Sequence, residues 1–176
     1  MQIATKGASA ELGGMKACMV SLKWTTAADF DLAALYVKKD GTKGMVYFND
    51  LGNLNAMPFM QLSGDEGVGD TGGDNEETMR IAKFDDMSHI HIIAWDYGAV
   101  TNGSAARFKD SDVKVTLMDD SGESHEVTVD TGDLGNVCVL ATIDNSSPMG
   151  AKLVNESKVG TLKGLSDSQQ LFDILG

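Results

Sequence analysis

Residues 63–77 combine many carboxylates with glycines and contain no lysine or arginine. Like charges held this close repel one another unless protons or a cation offset them. Glycine lets the backbone turn tightly, and oxygen ligands in a flexible loop are what Ca²⁺ prefers. We therefore interpret this stretch, the acidic loop, as a candidate calcium site, with a solvated acidic loop as the alternative. Its carboxylates are Asp65, Glu66, Asp70, Asp74, Glu76 and Glu77.

A second pair of carboxylates, Asp29 and Asp31, lies at the start of a predicted strand over residues 29–37. Side chains alternate between the two faces of a strand, so these aspartates share one face. The opposite face takes the apolar residues Phe30, Leu32, Ala34 and Tyr36. Two carboxylates cannot both enter an apolar core without a large free-energy cost. We expect them either to face water or to meet the acidic loop and complete a metal site.

Other metal motifs fit the sequence less well. An EF-hand starting at Asp70 fails, because its closing glutamate position holds Ile81. His89 and His91 share a strand face and could present two imidazoles to a transition metal, with His125 as a third ligand in space. Ordinary hydrogen-bonded strand histidines are the favoured interpretation.

Catalytic motifs are missing from the sequence: it has no Gly-x-Ser-x-Gly, no Walker lysine loop, no Cys-x-x-Cys and no dinucleotide fingerprint after a strand. The acidic cluster has no basic partner and no aromatic platform. It therefore resembles a set of ligands more than a substrate cleft, and we expect a protein that is not an enzyme.

Composition limits the partners. The 176 residues carry 26 acidic and 14 basic side chains, a net charge of -12, which argues against nucleic acid and against an anionic membrane surface. No apolar run is long enough to span a bilayer, and the first residues do not form a secretory signal. Cys18 and Cys138 fit small core residues in a reducing compartment. We expect a single domain over residues 1–176 in the cytoplasm.

Alternating apolar residues with turn signals between them predict about ten short strands. They include residues 15–24, 29–37, 44–49, 78–84, 88–95, 136–143, 150–154 and 159–162. Residues 165–175 break this pattern, since Ser166 and Gln169 have capping-box spacing and Leu171, Phe172 and Leu175 could form an apolar helix face. The prediction is an all-β fold, a two-sheet antiparallel β-sandwich with a short C-terminal helix.

The order of these segments resembles the tellurium-resistance (TerD) family of bacterial stress proteins. The resemblance rests on Asp29-Phe30-Asp31-Leu32 after a strand ending in Trp24, on Phe48-Asn49-Asp50-Leu51, and on the acidic loop followed by a strand. Lys6-Gly7, Trp95-Asp96 and the late Gly160 and Gly164-Leu165 fit the same order. The resemblance covers roughly residues 3–165.

The resemblance implies a β-sandwich that binds two calcium ions between the aspartate pair and the acidic loop. Asp29 and Asp31 match the paired aspartates, Asp65 the first loop aspartate, and Asp74 a later one. Asp70 stands where the family usually has glutamate. Glu76 matches the closing glutamate, and an alignment ambiguity of one residue brings in Glu77. The implied role is resistance to tellurite and other stresses, with other stress-resistance proteins as further partners.

The resulting hypothesis is a cytoplasmic, calcium-binding, non-enzymatic stress-response protein with one or two Ca²⁺ ions. One alternative is a C2-like or lectin-like module in which Ca²⁺ bridges the protein to phosphate head groups or sugars. Another is a metal-dependent hydrolase that uses the same carboxylates.

Overall fold

The computed structural model of the protein describes residues 2–13, 15–25, 30–48, 50–63, 75–102, 106–108, 112–119, 122–162 and 169–175. Most of these residues lie in strands. The strands are β1 (Gln2–Ile3), β2 (Ser9–Gly13), β3 (Cys18–Trp24), β4 (Phe30–Lys38), β5 (Lys43–Val46), β6 (Gly52–Asn53), β7 (Met60–Leu62), β8 (Asn75–Ile81), β9 (Met87–Asp96), β10 (Ala106–Arg107), β11 (Lys114–Asp119), β12 (Ser124–Thr128), β13 (Leu134–Gly135), β14 (Val137–Asp144) and β15 (Ala151–Gly160). The helices are α1 (Tyr97–Asn102) and α2 (Gln169–Leu175).

Two sheets contain nearly all of these strands. A seven-stranded sheet has the order β1-β12-β11-β3-β8-β7-β6, and a six-stranded sheet has the order β2-β15-β14-β9-β4-β5. Strands β10 and β13 form a separate two-stranded ribbon. Neighbouring strands are antiparallel, except that β1 and β12 are parallel. The predicted all-β class with two mainly antiparallel sheets is confirmed.

The main core lies between the two sheets. Val20 and Leu22 of β3 face Leu32 of β4 and Ile90 and Ile92 of β9 in one buried cluster. The alternation of apolar residues that predicted these strands marks the side chains facing this core. Burying them supplies the main driving force that holds the sheets together.

A second apolar cluster covers the other face of the six-stranded sheet. It includes Leu35, Trp95, Val139 and Leu162, and Leu171 of α2 belongs to it. Strands β4 and β14 are therefore buried on both faces over most of their length. The cap Ser166 of the predicted C-terminal helix and the side chains of Phe172 and Leu175 lie outside the described part of the chain.

The strands at the two ends of the chain differ from the prediction. We predicted separate short strands at 150–154 and 159–162, but β15 runs without interruption from Ala151 to Gly160. It passes a bulge where Glu156 and Ser157 lie opposite Leu140, and Ser157 has a φ of 45° there. Strands β1 and β2 were not predicted. A bulge breaks the period of two that identifies a strand in sequence.

A buried polar network joins the two sheets around Asn155 of β15. Its Nδ2 donates to the Ile3 carbonyl of β1 and to the Thr128 carbonyl of β12, both at 2.9 Å. Its Oδ1 accepts the Ser157 hydroxyl, which in turn accepts the Asp130 N–H at 2.8 Å. All the strong hydrogen-bonding groups of this amide side chain are paired within the protein.

Candidate metal centre

Asp31, a predicted ligand, lies on β4 and is only 4% exposed. Register places it opposite Trp95 of β9, and the Trp95 Nε1–H donates to Asp31 Oδ2 at 2.8 Å. Trp95 is fully buried in the second apolar cluster, where it makes edge-to-face contacts with Tyr47 and Phe48. The side chain of Asp31 therefore does not face water, which was one of the two expectations for the aspartate pair.

Glu77, another predicted ligand, comes from β8 of the opposite sheet and is 2% exposed. Its side chain shares a strand face with Met79 and Ile81, which belong to the main core. Glu77 Oε2 accepts the backbone N–H of Leu32 at 3.2 Å. The carboxylate therefore reaches across to β4, at the residue directly after Asp31.

Asp31 and Glu77 are the only buried carboxylates among the described residues, and that part of the chain buries no lysine or arginine. Ionised carboxylates removed from water are normally paired with a cation or bound to a metal. The Trp95 indole N–H donates to Asp31 and the Leu32 backbone N–H donates to Glu77, and both of these donors are neutral. An oxygen-seeking cation fits this donor set, and the two residues would contribute oxygens to it.

Glu76, the neighbour of Glu77, lies on the outer face of the seven-stranded sheet, because successive strand residues point in opposite directions. Its side chain is 44% exposed and pairs with Lys23 Nζ of β3 at 3.2 Å. Parity with Met79 and Ile81 was a signal in the sequence that could have separated the two glutamates.

The other predicted ligands, Asp29, Asp65, Asp70 and Asp74, lie outside the described residues. In the sequence, Asp29 stands just before β4, and Asp74 stands just before β8. Within the described ranges, no three histidine, cysteine or acidic side chains come together as a metal site. The ligand roles of all seven residues stay predictions.

The histidines are separated by the six-stranded sheet. His89 and His91 stack with 5.7 Å between ring centroids on its outer face, where His91 Nδ1 lies 2.7 Å from Thr142 Oγ1. Burial, together with the neighbouring His89, lowers the pKa of His91 to about 4. His125 of β12 shares a face with the core residue Val127, and its buried Nδ1 has no hydrogen-bond partner among the residues that the structure describes. His125 therefore does not join the other two.

Buried thiols agree with the cysteine interpretation. Cys18 and Cys138 both belong to the main core. Burial raises the pKa of the Cys138 thiol to about 12, so it stays protonated near neutral pH. Such thiols are inert, as expected of small core residues.

The candidate site also depends on Trp95 and on the Leu32 amide, which no ligand pattern in the sequence marks. Trp95 lies 64 positions after Asp31, and a hydrogen bond between them depends on strand register. The signal in the sequence at this position is the resemblance of the Trp95-Asp96 segment to a family pattern.

Comparison with solved structures identifies two neighbours of this fold. A homologue of the telluride resistance protein TerD from Streptomyces coelicolor A3(2) superposes with a TM-score of 0.56 at 15% identity, covering 81% of this chain and 88% of that chain. A protein described as of unknown function superposes with a TM-score of 0.57 at 12% identity, covering 83% of this chain and 92% of that chain. No protein-family model and no curated protein matches the sequence. At these identities the comparisons show a shared TerD-like fold.

Neither helix in the described part of the chain is long and apolar enough to cross a membrane.

Proposed function

We propose that this chain is a calcium-binding protein of the tellurium-resistance type. The observation that carries the proposal is the burial of Asp31 and Glu77 without a buried basic side chain in the described residues. One carboxylate comes from each sheet, and both approach the start of β4. The TerD-like fold of the solved neighbour supports the same assignment.

Bound Ca²⁺ would offset the negative charge of these two buried carboxylates. Asp31 and Glu77 would hold it, and Asp29, Asp65, Asp70 and Asp74 are the further candidates for one or two ions, whereas Glu76 faces outward and pairs with Lys23. Trp95 orients Asp31 through its indole N–H, and Leu32 orients Glu77 through its backbone N–H. Such orientation by hydrogen bonds is typical of the groups around metal ligands.

The proposed role is structural and regulatory. The chain lacks recognisable catalytic motifs, so we propose a non-enzymatic, single-domain protein of the cytoplasm that acts in the response to tellurite and related stress. Calcium would stabilise the folded chain and order the acidic loop for contact with other stress-resistance proteins.

Calcium titration by calorimetry, with thermal melting in calcium and in EDTA, tests the proposal. A ligand that binds only the folded protein adds about 2.7 kcal/mol at a hundredfold excess over Kd. For a chain of this size the melting temperature should rise by about 5–10 °C. Asp31→Asn should lose most of this rise, because it removes a charged ligand at nearly constant volume and keeps an acceptor for Trp95.

Glu126→Gln is the matched control, since Glu126 lies on β12, where it pairs with Lys114 at 3.8 Å. It should keep the calcium response. Without calcium, Asp31→Asn should be neutral or slightly stabilising, because it removes repulsion from Glu77. A variant that is equally destabilised in calcium and in EDTA would show that Asp31 is a structural acceptor and would contradict the proposal.

Metal selectivity gives a second test of the same site. All the proposed ligands are oxygens, so Ca²⁺ should bind more tightly than Zn²⁺ and Mg²⁺. If Zn²⁺ bound more tightly than Ca²⁺, and if this binding disappeared in His89→Ala and His91→Ala, the metal site would lie at the histidines instead.

A further inference from the structure

A hollow of about 340 Å³ lies on the outer face of the seven-stranded sheet. Met19 of β3, with Leu51 and Leu54 from the segment around β6, gives it apolar walls. Ser63, Thr78 and Arg80 contribute polar groups. This volume is at the lower end of the range for small-molecule sites.

Strand register builds the base of the hollow. Met118 of β11 lies beside Met19 of β3, Met19 beside Arg80 of β8, and Arg80 beside Gln61 of β7. Met118, Met19 and Arg80 therefore lie side by side in a single row across the sheet. Met118 is 47% exposed and Leu51 is 38% exposed, so the apolar surface around the hollow is open to solvent.

Arg80 is an exposed basic residue on the outer face of the seven-stranded sheet. The ion pairs among the described residues use Lys23, Lys38, His89, Lys114 and Lys158, and none of them uses Arg80. Its guanidinium therefore borders the hollow without a carboxylate partner among the described residues. Its planar donors match a carboxylate in a bidentate geometry.

Ser63 supplies a second donor. Ser63 Oγ accepts the backbone N–H of Thr78 at 3.2 Å. A hydroxyl that accepts through its oxygen keeps its own hydrogen available to donate. This O–H and the guanidinium both border the hollow and can meet one anionic group.

We propose that this hollow binds a small monocarboxylate with an apolar tail. The carboxylate pairs with Arg80 and accepts from Ser63, while the tail lies on Met19, Leu51 and Leu54. Flexible methionines adapt to tails of different shape. One guanidinium matches one negative charge, and a phosphate dianion would meet too little positive charge on a chain of net charge -12.

Methyl NMR of methionine-labelled protein, titrated with hexanoate, acetate and hexanamide, tests the proposal. Hexanoate should shift the Met19 methyl signal saturably, and Met149, which is 92% exposed in the turn after β14, should not respond. Affinity should rise from acetate to hexanoate by up to about fourfold for each added methylene. Hexanamide, which has the same tail without the charge, should bind about tenfold more weakly.

Arg80→Gln should weaken hexanoate binding about tenfold and leave hexanamide binding unchanged. The hexanoate affinity of Arg80→Lys should lie between those of Arg80→Gln and the parent protein, because lysine keeps the charge and loses the bidentate geometry. Lys114→Gln is the matched control: it removes one positive charge from the same sheet face outside the hollow, and it should change hexanoate affinity less than about twofold.

Three results would overturn the proposal. Hexanoate binding that is equal in Arg80→Gln and the parent protein would show that the guanidinium does not hold the anion. Shifts at Met149 as large as those at Met19 would show non-specific association. The lack of any saturable shift at Met19 with millimolar hexanoate would show that the hollow does not take this class of ligand.

Discussion

Two groups of buried polar side chains in this protein solve the problem of burial differently. Around Asn155, a neutral amide meets two carbonyls and a hydroxyl, and no net charge is buried. Around Asp31 and Glu77, two carboxylates receive neutral N–H donors. The first group is neutral, whereas the second buries carboxylates whose charge the proposed calcium ion would offset. A calcium response should therefore belong to the second group only.

The largest effect is expected at the neutral group. Asn155→Ala leaves the Ile3 and Thr128 carbonyls without their amide donor, and each unsatisfied buried group costs about 1–3 kcal/mol. We expect the free energy of unfolding to fall by about 3 kcal/mol or more, equally in calcium and in EDTA. Urea denaturation measures this. Asn53→Ala, at the exposed last residue of β6, should cost about 1 kcal/mol or less.

Replacing the two neighbouring glutamates sharpens the comparison. Glu77→Gln should lose most of the calcium-dependent stabilisation, about 2.7 kcal/mol at a hundredfold excess over Kd. Glu76→Gln should keep it, because Glu76 faces outward and pairs with Lys23. Melting with and without EDTA compares the two variants. If Glu76→Gln abolished the response and Glu77→Gln did not, the ligand would be Glu76 and the argument from burial would fail.

His91 extends the comparison to a buried base. Burial lowers its pKa to about 4, below the ordinary value of 6.5, so the unfolded chain binds more protons between these pH values. Stability from the neutral ring is thus present above pH 6.5 and is lost as the pH falls toward 4. Between pH 7 and pH 5 this loss should be about 2 kcal/mol. Urea denaturation of His91→Gln at both pH values should show a smaller change than the parent protein.

The smallest effect is expected at the surface. Lys23→Gln removes the exposed ion pair with Glu76, and such pairs contribute about 0–1 kcal/mol. The melting temperature should change little, and calcium affinity should stay nearly constant. A large loss of stability in this variant would show that exposed charge on the outer face contributes as much to stability as the buried carboxylates do.

Much of the fold could be predicted from local patterns. Alternation along β3 and β4 identified the strands and the side chains of the main core, because a strand reverses its side-chain direction at every residue. The same alternation placed Phe30 and Leu32 on one face and Asp31 on the other. It could not show that β4 is covered on both faces, since the covering residues, such as Leu162 and Leu171, come from distant parts of the chain.

For the candidate site, the sequence by itself determined the chemistry: carboxylates before and within two strands, with no basic residue in the acidic loop. Only the tertiary structure decided which of the described carboxylates are buried and what they meet. Asp31 accepts a hydrogen bond from Trp95, 64 positions away in the sequence. Glu77 accepts one from the backbone of Leu32, 45 positions away. Side-chain alternation is a local property, whereas these contacts depend on strand register and on how one sheet packs against the other, which single-sequence periodicity does not encode.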